Sequence, residues 1–454
     1  MVSAARRRHP SQLFVDARVR VRRFDRTFAL LFTVMLTIAA GNTALQSVLP
    51  ALGRSLGAAD SAVAAVFSVS ALLWVVAAPF WANRSDRHGR RAMVLVGVAG
   101  FTVSLLLCGI FLALGINGVL GPLATFIAFI IGRVIYGTFG SAAPPAVQAI
   151  VAGRTTREER TRALTLLASA FGLGTILGPA IAPYLVLGHL WSGGPEIGLA
   201  GPAFVAAAIG AVIWIAVVRL LPRDEGYAHG AASSYPSIGG QGTGATVTAA
   251  TAETSEKVGY FDPRVRAWIV SGLVIGHAQA MTGQAIGFLI IDRLAVSPME
   301  ALHPTGLVLM MGAGSALLAQ WGLIPLLDLK PRALILAGAA LGVFGCIAVG
   351  SATSLYGIAL GYALTSLGMG LARPGFTAGS SLAVGAEAQG SVAGKVTSVN
   401  GAAFVLGPSI GVGLYELWRP LPYLTAAAAL ACLLLYGWLN LRPSDPGRGA
   451  SPAQ

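Results

Sequence analysis

The chain has 454 residues, of which 55% are hydrophobic and only 11% charged, and its mean hydropathy is +0.73. Water-soluble domains carry about 25% charged residues, so a soluble enzyme or soluble binding module is excluded and most of this surface has to face lipid. The net charge of +13 would point to nucleic acid in a soluble protein, but the placement of the basic residues assigns it to a membrane surface instead.

Residues 1–27 form a basic tail. The apolar run behind it, 28–52, is longer than the roughly 7–15 residues of a signal-peptide core and reads as a retained first span. A helix needs about 20 apolar residues to cross the hydrocarbon core. Eleven further runs meet that need, at 61–82, 92–115, 120–151, 162–188, 199–221, 266–291, 304–327, 332–351, 354–383, 393–416 and 420–441. The fold class is therefore an all-α membrane protein of twelve spans. Cys108, Cys346 and Cys432 all fall inside apolar runs with no CxxC pair, so they read as buried free thiols, with neither a metal site nor a disulfide frame.

Twelve spans put both termini on one side, and the arginines say which. The N-terminal tail carries eight, the 2–3 loop four (84, 87, 90 and 91) and the 4–5 loop four (154, 157, 160 and 162). The opposite loops carry only Arg54, Arg293 and Arg419. Basic residues collect on the cytoplasmic side, so the expected setting is a cell inner membrane with both termini cytoplasmic and lipid, not nucleic acid, as the basic residues' partner. A lysine or arginine is expected in the 10–11 loop too. Residues 222–265 are rich in Gly, Ala, Ser and Thr and cannot bury enough surface to order themselves. They read as a linker between a six-span half at 28–221 and another at 266–441, with a short amphipathic helix near Phe261–Trp268 and a C-terminal tail at 442–454.

The halves resemble copies. Gly178-Pro179 and Gly407-Pro408 lie 229 residues apart, and the same offset carries Gly132 onto Gly361 and Pro145 onto Pro374. Span 5 thus matches span 11, and span 4 matches span 10. Parallel repeats of six spans suit a transporter with a central cavity.

Between spans 2 and 3 stands Asp86-Arg87-His88-Gly89-Arg90-Arg91. It resembles the loop signature of the major facilitator superfamily, roughly G-x-x-x-D-R-x-G-R-R, with Ala82 where the family has its first glycine. The resemblance implies a conformational latch. Asp86 would face the positive N-terminal end of span 11, Gly89 would make the turn, and Arg87, Arg90 and Arg91 would pair with carboxylates of the 4–5 loop and with anionic lipid. Glu158 and Glu159 are the nearest carboxylates for Arg90. The plain alternative is a basic anchor with no such role. Span 5, ASAFGLGTILGPAIAPYL, resembles the signature of the drug:proton antiporter branch, which includes the tetracycline exporters. Gly172, Gly174, Gly178 and Pro179 match it, while Ala182-Pro183 replaces its closing Gly-Gly. Small residues of this kind also serve ordinary helix packing.

Polar groups at spanning depth are costly and are the candidates for function. Arg133 in span 4, with Tyr136 beside it, resembles the arginine of drug exporters and is assigned to the cavity. Arg373 in span 10 either meets an anionic substrate or snorkels to the cytoplasmic face. Asn42 and Gln46 share a face of span 1. Gln148, His277, Gln279, Gln284, Gln320 and Asn400 complete the set. Tetracycline-type exporters carry an acidic residue in span 1, and Ile38 stands at about that place here. Asp60, Asp292, Glu300 and Glu416 lie near outer span ends. His277 is the one histidine inside a span, and either titrates or rests neutral on a carbonyl.

These features predict a secondary active transporter, monomeric and without cofactor, moving a small molecule by alternating access. A proton-coupled exporter of drugs or metabolites is the first reading. An importer or facilitator of an anionic metabolite is the second, and a non-transporting sensor or scaffold the third. The chain has no HExxH motif and no paired carboxylates at spanning depth, which argues against an enzyme.

Overall fold

A computed structural model describes residues 26–155, 157–189, 192, 194–223 and 256–441. The basic N-terminal tail to residue 25, most of the expected linker and the C-terminal tail lie outside the described residues, as do the side chains of Asp86, Glu158 and Glu159. Lipid offers the backbone no hydrogen bonds, so each apolar run must close its own ladder as a helix. Among the described residues, twelve helices are long and apolar enough to span a membrane. They are α1 (Arg26–Ser55), α2 (Asp60–His88), α3 (Arg90–Ile116), α4 (Pro122–Gly153), α5 (Arg157–Ile181), α6 (Gly201–Leu220), α7 (Arg266–Leu294), α8 (Leu302–Leu327), α9 (Pro331–Ser351), α10 (Leu355–Leu382), α11 (Gln389–Leu417) and α12 (Leu421–Asn440).

Proline sets several local features. Pro122, Pro202, Pro331 and Pro422 open α4, α6, α9 and α12, where the missing N–H costs nothing. Inside α4 the pair Pro144-Pro145 withdraws two donors, and the helix tightens to a 3-10 turn at Gly140–Ala142. In α8, Leu318–Leu323 form a π-turn just before Pro325, a wider ladder that the sequence pattern did not signal.

Four expectations need correction, three of them near the membrane edges. Span 5 ends early: a 3-10 turn at Ala182–Leu185 is followed by a hairpin of β1 (Leu187–His189) and β2 (Glu196–Gly198). Asn117 holds that hairpin by exchanging two hydrogen bonds of 2.8 Å with the backbone of Glu196. The helix expected near Phe261–Trp268 does not form separately, because residues 260–265 are turns and α7 opens at Arg266. There the Arg264 guanidinium and backbone N–H both donate to Asp262 and hold its carboxyl down to about 2. This stretch is pinned to the start of α11: Val258 N–H donates to Ser391 Oγ at 3.0 Å, and Lys395 lies over the Tyr260 ring at 5.2 Å. Lys395, counted with the 10–11 loop although it falls within the expected span 393–416, sits inside α11, which already opens at Gln389. Finally, Cys432 is exposed on the bundle surface, whereas Cys108 and Cys346 are buried. An apolar run turns one face to lipid, so membership of the run does not fix burial.

Within the first six helices, α1 packs on α5 and α6, and α3 on α4 and α6. Within the second six, α7 packs on α11, and α9 on α10 and α12. The two sets meet mainly through α2 with α11 and α5 with α8, aided by α1 with α7 and α8. One hydrophobic core joins the sets: Leu45, Leu49 and Leu52 share it with Phe288, Leu289 and Tyr415. Its members from the second set all belong to the end that carries the 1–2 and 7–8 loops. The other end of the second set has a separate core around Trp268, Phe376 and Val392.

Candidate functional site

Arg133 is carried on α4 at a point where Gly132 lets the helix close on α3; a Cβ there would lie 2.7 Å from Cys108 Sγ. Its side chain is only 2% exposed. Nη2 donates to Asn42 Oδ1 of α1 at 2.9 Å and to Ser70 Oγ of α2 at 3.4 Å. The guanidinium also lies over two rings, Tyr136 at 4.6 Å and Phe67 at 5.0 Å, a favourable cation–π arrangement. Nε and Nη1 have no hydrogen-bond partner among the described residues. One turn beyond Asn42, on the same face of α1, Gln46 Nε2 donates to Gln284 Oε1 of α7 at 3.1 Å. Arg133, Asn42, Gln46 and Gln284 therefore form a polar line that leads from inside the first six helices to the contact with the second six.

The second set holds its own cation. Arg373 donates to Gln279 Oε1 of α7 and to Asn400 Oδ1 of α11, both at 3.2 Å, and lies 5.8 Å from the Phe404 ring. It is thus anchored among helices and does not snorkel. His277 accepts no ligand-like partner at Nδ1, which bonds the Leu273 carbonyl of its own helix at 2.8 Å; with a carbonyl as partner, that nitrogen donates. Gln148 is buried in α4. Gln320 is exposed on the π-turn, away from these groups.

The 2–3 junction is tighter than a loop. Gly89 alone separates α2 from α3, with φ 96° and ψ 145°, a region open to glycine and hostile to other residues. Arg90 is buried and donates to the Ala149 carbonyl of α4 at 3.0 Å, and Arg91 donates to the Val218 carbonyl of α6 at 2.6 Å. Arg87 is exposed. The arginine partners seen here include main-chain carbonyls, which a search of the sequence for carboxylates could not find.

The glycines of span 5 pack on α1. A Cβ at Gly174 would lie 2.6 Å from Ala39 Cβ and from the Leu36 carbonyl, and one at Gly178 would lie 2.5 Å from the Ala40 carbonyl. Pro179 follows, and its carbonyl faces Gly306 of α8. In the second set Gly407, before Pro408, packs against Ala280 of α7, where a Cβ would be 2.5 Å from its Cβ. The repeat seen at an offset of 229 thus serves the same kind of contact twice.

The most strongly bonded group was not singled out by the sequence. Arg54, at the end of α1, donates from Nε and Nη2 to Asp60 at 3.1 and 2.7 Å, and from Nη1 and Nη2 to Asp292 of α7 at 2.6 and 3.0 Å. Tyr415 of α11 donates to Asp292, and Arg419 lies 3.4 Å from it. Ser61 N–H donates to Glu416 at 2.8 Å, and Ser68 and Ser409 share a hydrogen bond of 2.8 Å. These groups tie the two sets together at the 1–2 loop end, where Arg54, Asp60, Asp292, Tyr415, Glu416 and Arg419 help line a cavity of about 500 Å³. The available signal was the rarity of cations at that end, where Arg54 stands six positions from Asp60.

Comparison with known proteins decides the family. The sequence model of the Major Facilitator Superfamily matches residues 31–408. The chain belongs to the Major Facilitator Superfamily. It is a transporter-family protein, not an enzyme. Multidrug resistance protein 2 of Bacillus subtilis (strain 168) is 24% identical over 198 residues, 43% of this chain and 44% of that protein. The class B tetracycline resistance protein of Escherichia coli is 27% identical over 188 residues, 41% of each chain. The matches thus span less than half the length of either relative. Among solved structures, an inward-facing, occupied bacterial homolog of the human lysosomal transporter Spinster matches with a TM-score of 0.67 at 12% identity, covering 94% of this chain and 98% of that one. An inward-facing bacterial homologue of the iron transporter ferroportin gives 0.65 at 16% identity, covering 91% and 98%. This superfamily member therefore has the twelve-helix fold of those transporters.

Proposed function

We propose that this protein is a proton-coupled exporter of small organic molecules, working by alternating access of two six-helix halves. It would sit in a cell inner membrane with both termini cytoplasmic. The observation that carries the reading is the uneven contact between the halves. The ion pairs and the shared apolar core that join them stand at the 1–2 loop end, so a rocking motion that parts them there would exchange access. The relatives' names, multidrug and tetracycline resistance, support export. So does the packing of Gly174 and Gly178 on α1, which gives α1 and α5 a shared, rigid interface. Asp86, Arg87, Gly89, Arg90 and Arg91 would act as a latch at the opposite end, and Arg133, Asn42, Gln46, Tyr136, Gln148, Gln279, Gln284, Arg373 and Asn400 would line or support the path.

The test is accumulation of one cationic and one anionic fluorescent dye in an efflux-deficient bacterial host, with and without this protein. Export predicts lower accumulation of at least one dye, restored by a protonophore. Unchanged accumulation of both would reject it. Higher accumulation of the anionic dye would favour import, a reading that Arg133 and Arg373 support.

A further inference from the structure

We infer that Arg133 is the anchor for an organic anion, so that the species this transporter carries bears a carboxylate or sulfonate on an apolar body. The inference rests on the proposed transport function and names its substrate class.

A guanidinium this deeply buried needs compensation, because the desolvation cost of a charge is several kcal/mol even after relaxation. What surrounds Arg133 is neutral. Asn42 and Ser70 offer one oxygen each, and Tyr136 and Phe67 offer ring faces. No carboxylate among the described residues pairs with it. Amide and hydroxyl oxygens satisfy donors but do not cancel a charge. Two guanidinium nitrogens, Nε and Nη1, retain unbonded hydrogens, and each can donate a charged hydrogen bond to an oxygen of a carboxylate or sulfonate. The rings that flank the cation exclude water and strengthen its field.

The position also suits cargo. Asn42, which orients Arg133, lies one turn from Gln46, and Gln46 bonds Gln284 across the contact between the halves. An anion that draws Arg133 from Asn42 would loosen one end of this polar line, and so act on the contact that must part during transport. The second half repeats the chemistry: Arg373 is held by two amide oxygens, Gln279 and Asn400, with an aromatic ring nearby.

The experiment uses the purified full chain in detergent and three probes of one shape: 2-naphthoate, the neutral 2-naphthylmethanol and a 2-naphthyl trimethylammonium cation. Binding is read from the shift in melting temperature and by titration calorimetry. Naphthoate should bind saturably and the other two should not. Asn42→Asp supplies the missing counter-charge with almost no change of shape. It should keep or raise the protein's own melting temperature yet weaken naphthoate binding at least about tenfold, the scale of one charged hydrogen bond. Arg133→Gln should weaken binding likewise. Preference for the cation, equal binding of all three probes, no binding of naphthoate, or an Asn42→Asp protein that binds as before would each overturn the inference. The two readings fail separately. Dye efflux without naphthoate binding removes the anion site and keeps the exporter, whereas naphthoate binding without transport of either dye does the reverse.

Discussion

Asp292→Asn should release the closed end of the bundle. Arg54 keeps its pair with Asp60 whichever way the halves rock, because both residues belong to the first six helices. Its two hydrogen bonds to Asp292, at 2.6 and 3.0 Å, must break when the sets part. Asp292 and Arg54 are only 15% and 22% exposed, so screening removes little of their interaction. A hydrogen bond to a charged group contributes about 1.5–3 kcal/mol. Asparagine keeps one acceptor and loses the charge, so we expect a net loss of about that size for the pair, equivalent to roughly a 10- to 150-fold shift toward the parted state. The readout is a cysteine at Ser68, which now shares a hydrogen bond with Ser409 across the seam. With the exposed Cys432 replaced by alanine, a polar maleimide should label Ser68→Cys at least about tenfold faster in the Asp292→Asn background. Asp60→Asn is the control and should change the rate far less, since its partner lies in the same half. Equal labelling with and without Asp292→Asn would refute the reasoning, as would a larger effect from Asp60→Asn.

Two further outcomes can be checked directly. Gly174→Val or Gly407→Val would drive a side chain into α1 or α7, where a Cβ already stands 2.6 Å from Ala39 and 2.5 Å from Ala280; the cost of such overpacking is about 1–3 kcal/mol, visible as a lower melting temperature in detergent, and an unshifted transition would contradict the packing described. Gly89→Ala places a Cβ at φ 96°, which costs about 1–3 kcal/mol; it should destabilise the protein more than Gly118→Ala, where φ is 71° and nothing lies within 4 Å, and the reverse order in thermal unfolding would be the refuting result.

The span count was legible because a lipid environment enforces long apolar runs, and helix geometry then sets their length. The glycines of α5 and α11 were legible through their shared offset. The partners of the polar residues were not. Gln46 and Gln284 lie 238 positions apart, as do Arg54 and Asp292, and only the docking of α1 on α7 brings them together. Arg90 and Arg91 also bond the main chain of Ala149 and Val218, and carbonyls leave no mark in a sequence. Ser70 and Phe67 went unnoticed beside Arg133 because one polar residue and one ring in an apolar span look like ordinary packing. The hairpin at Leu187–Gly198 was absorbed into span 5, since Leu187 and Gly188 extend the apolar run without a break.

The single residue between α2 and α3 has a mechanical meaning. One glycine leaves no slack, so a tilt of α2 at its seam with α11 is handed at once to α3. Arg90 and Arg91, the first two residues of α3, are bonded to α4 and α6 and pass the displacement on. Gly89 is then the elbow of a stiff lever, and the effort of moving it falls on the few bonds at the far end of α2, where Ser61 and Ser68 touch the other half.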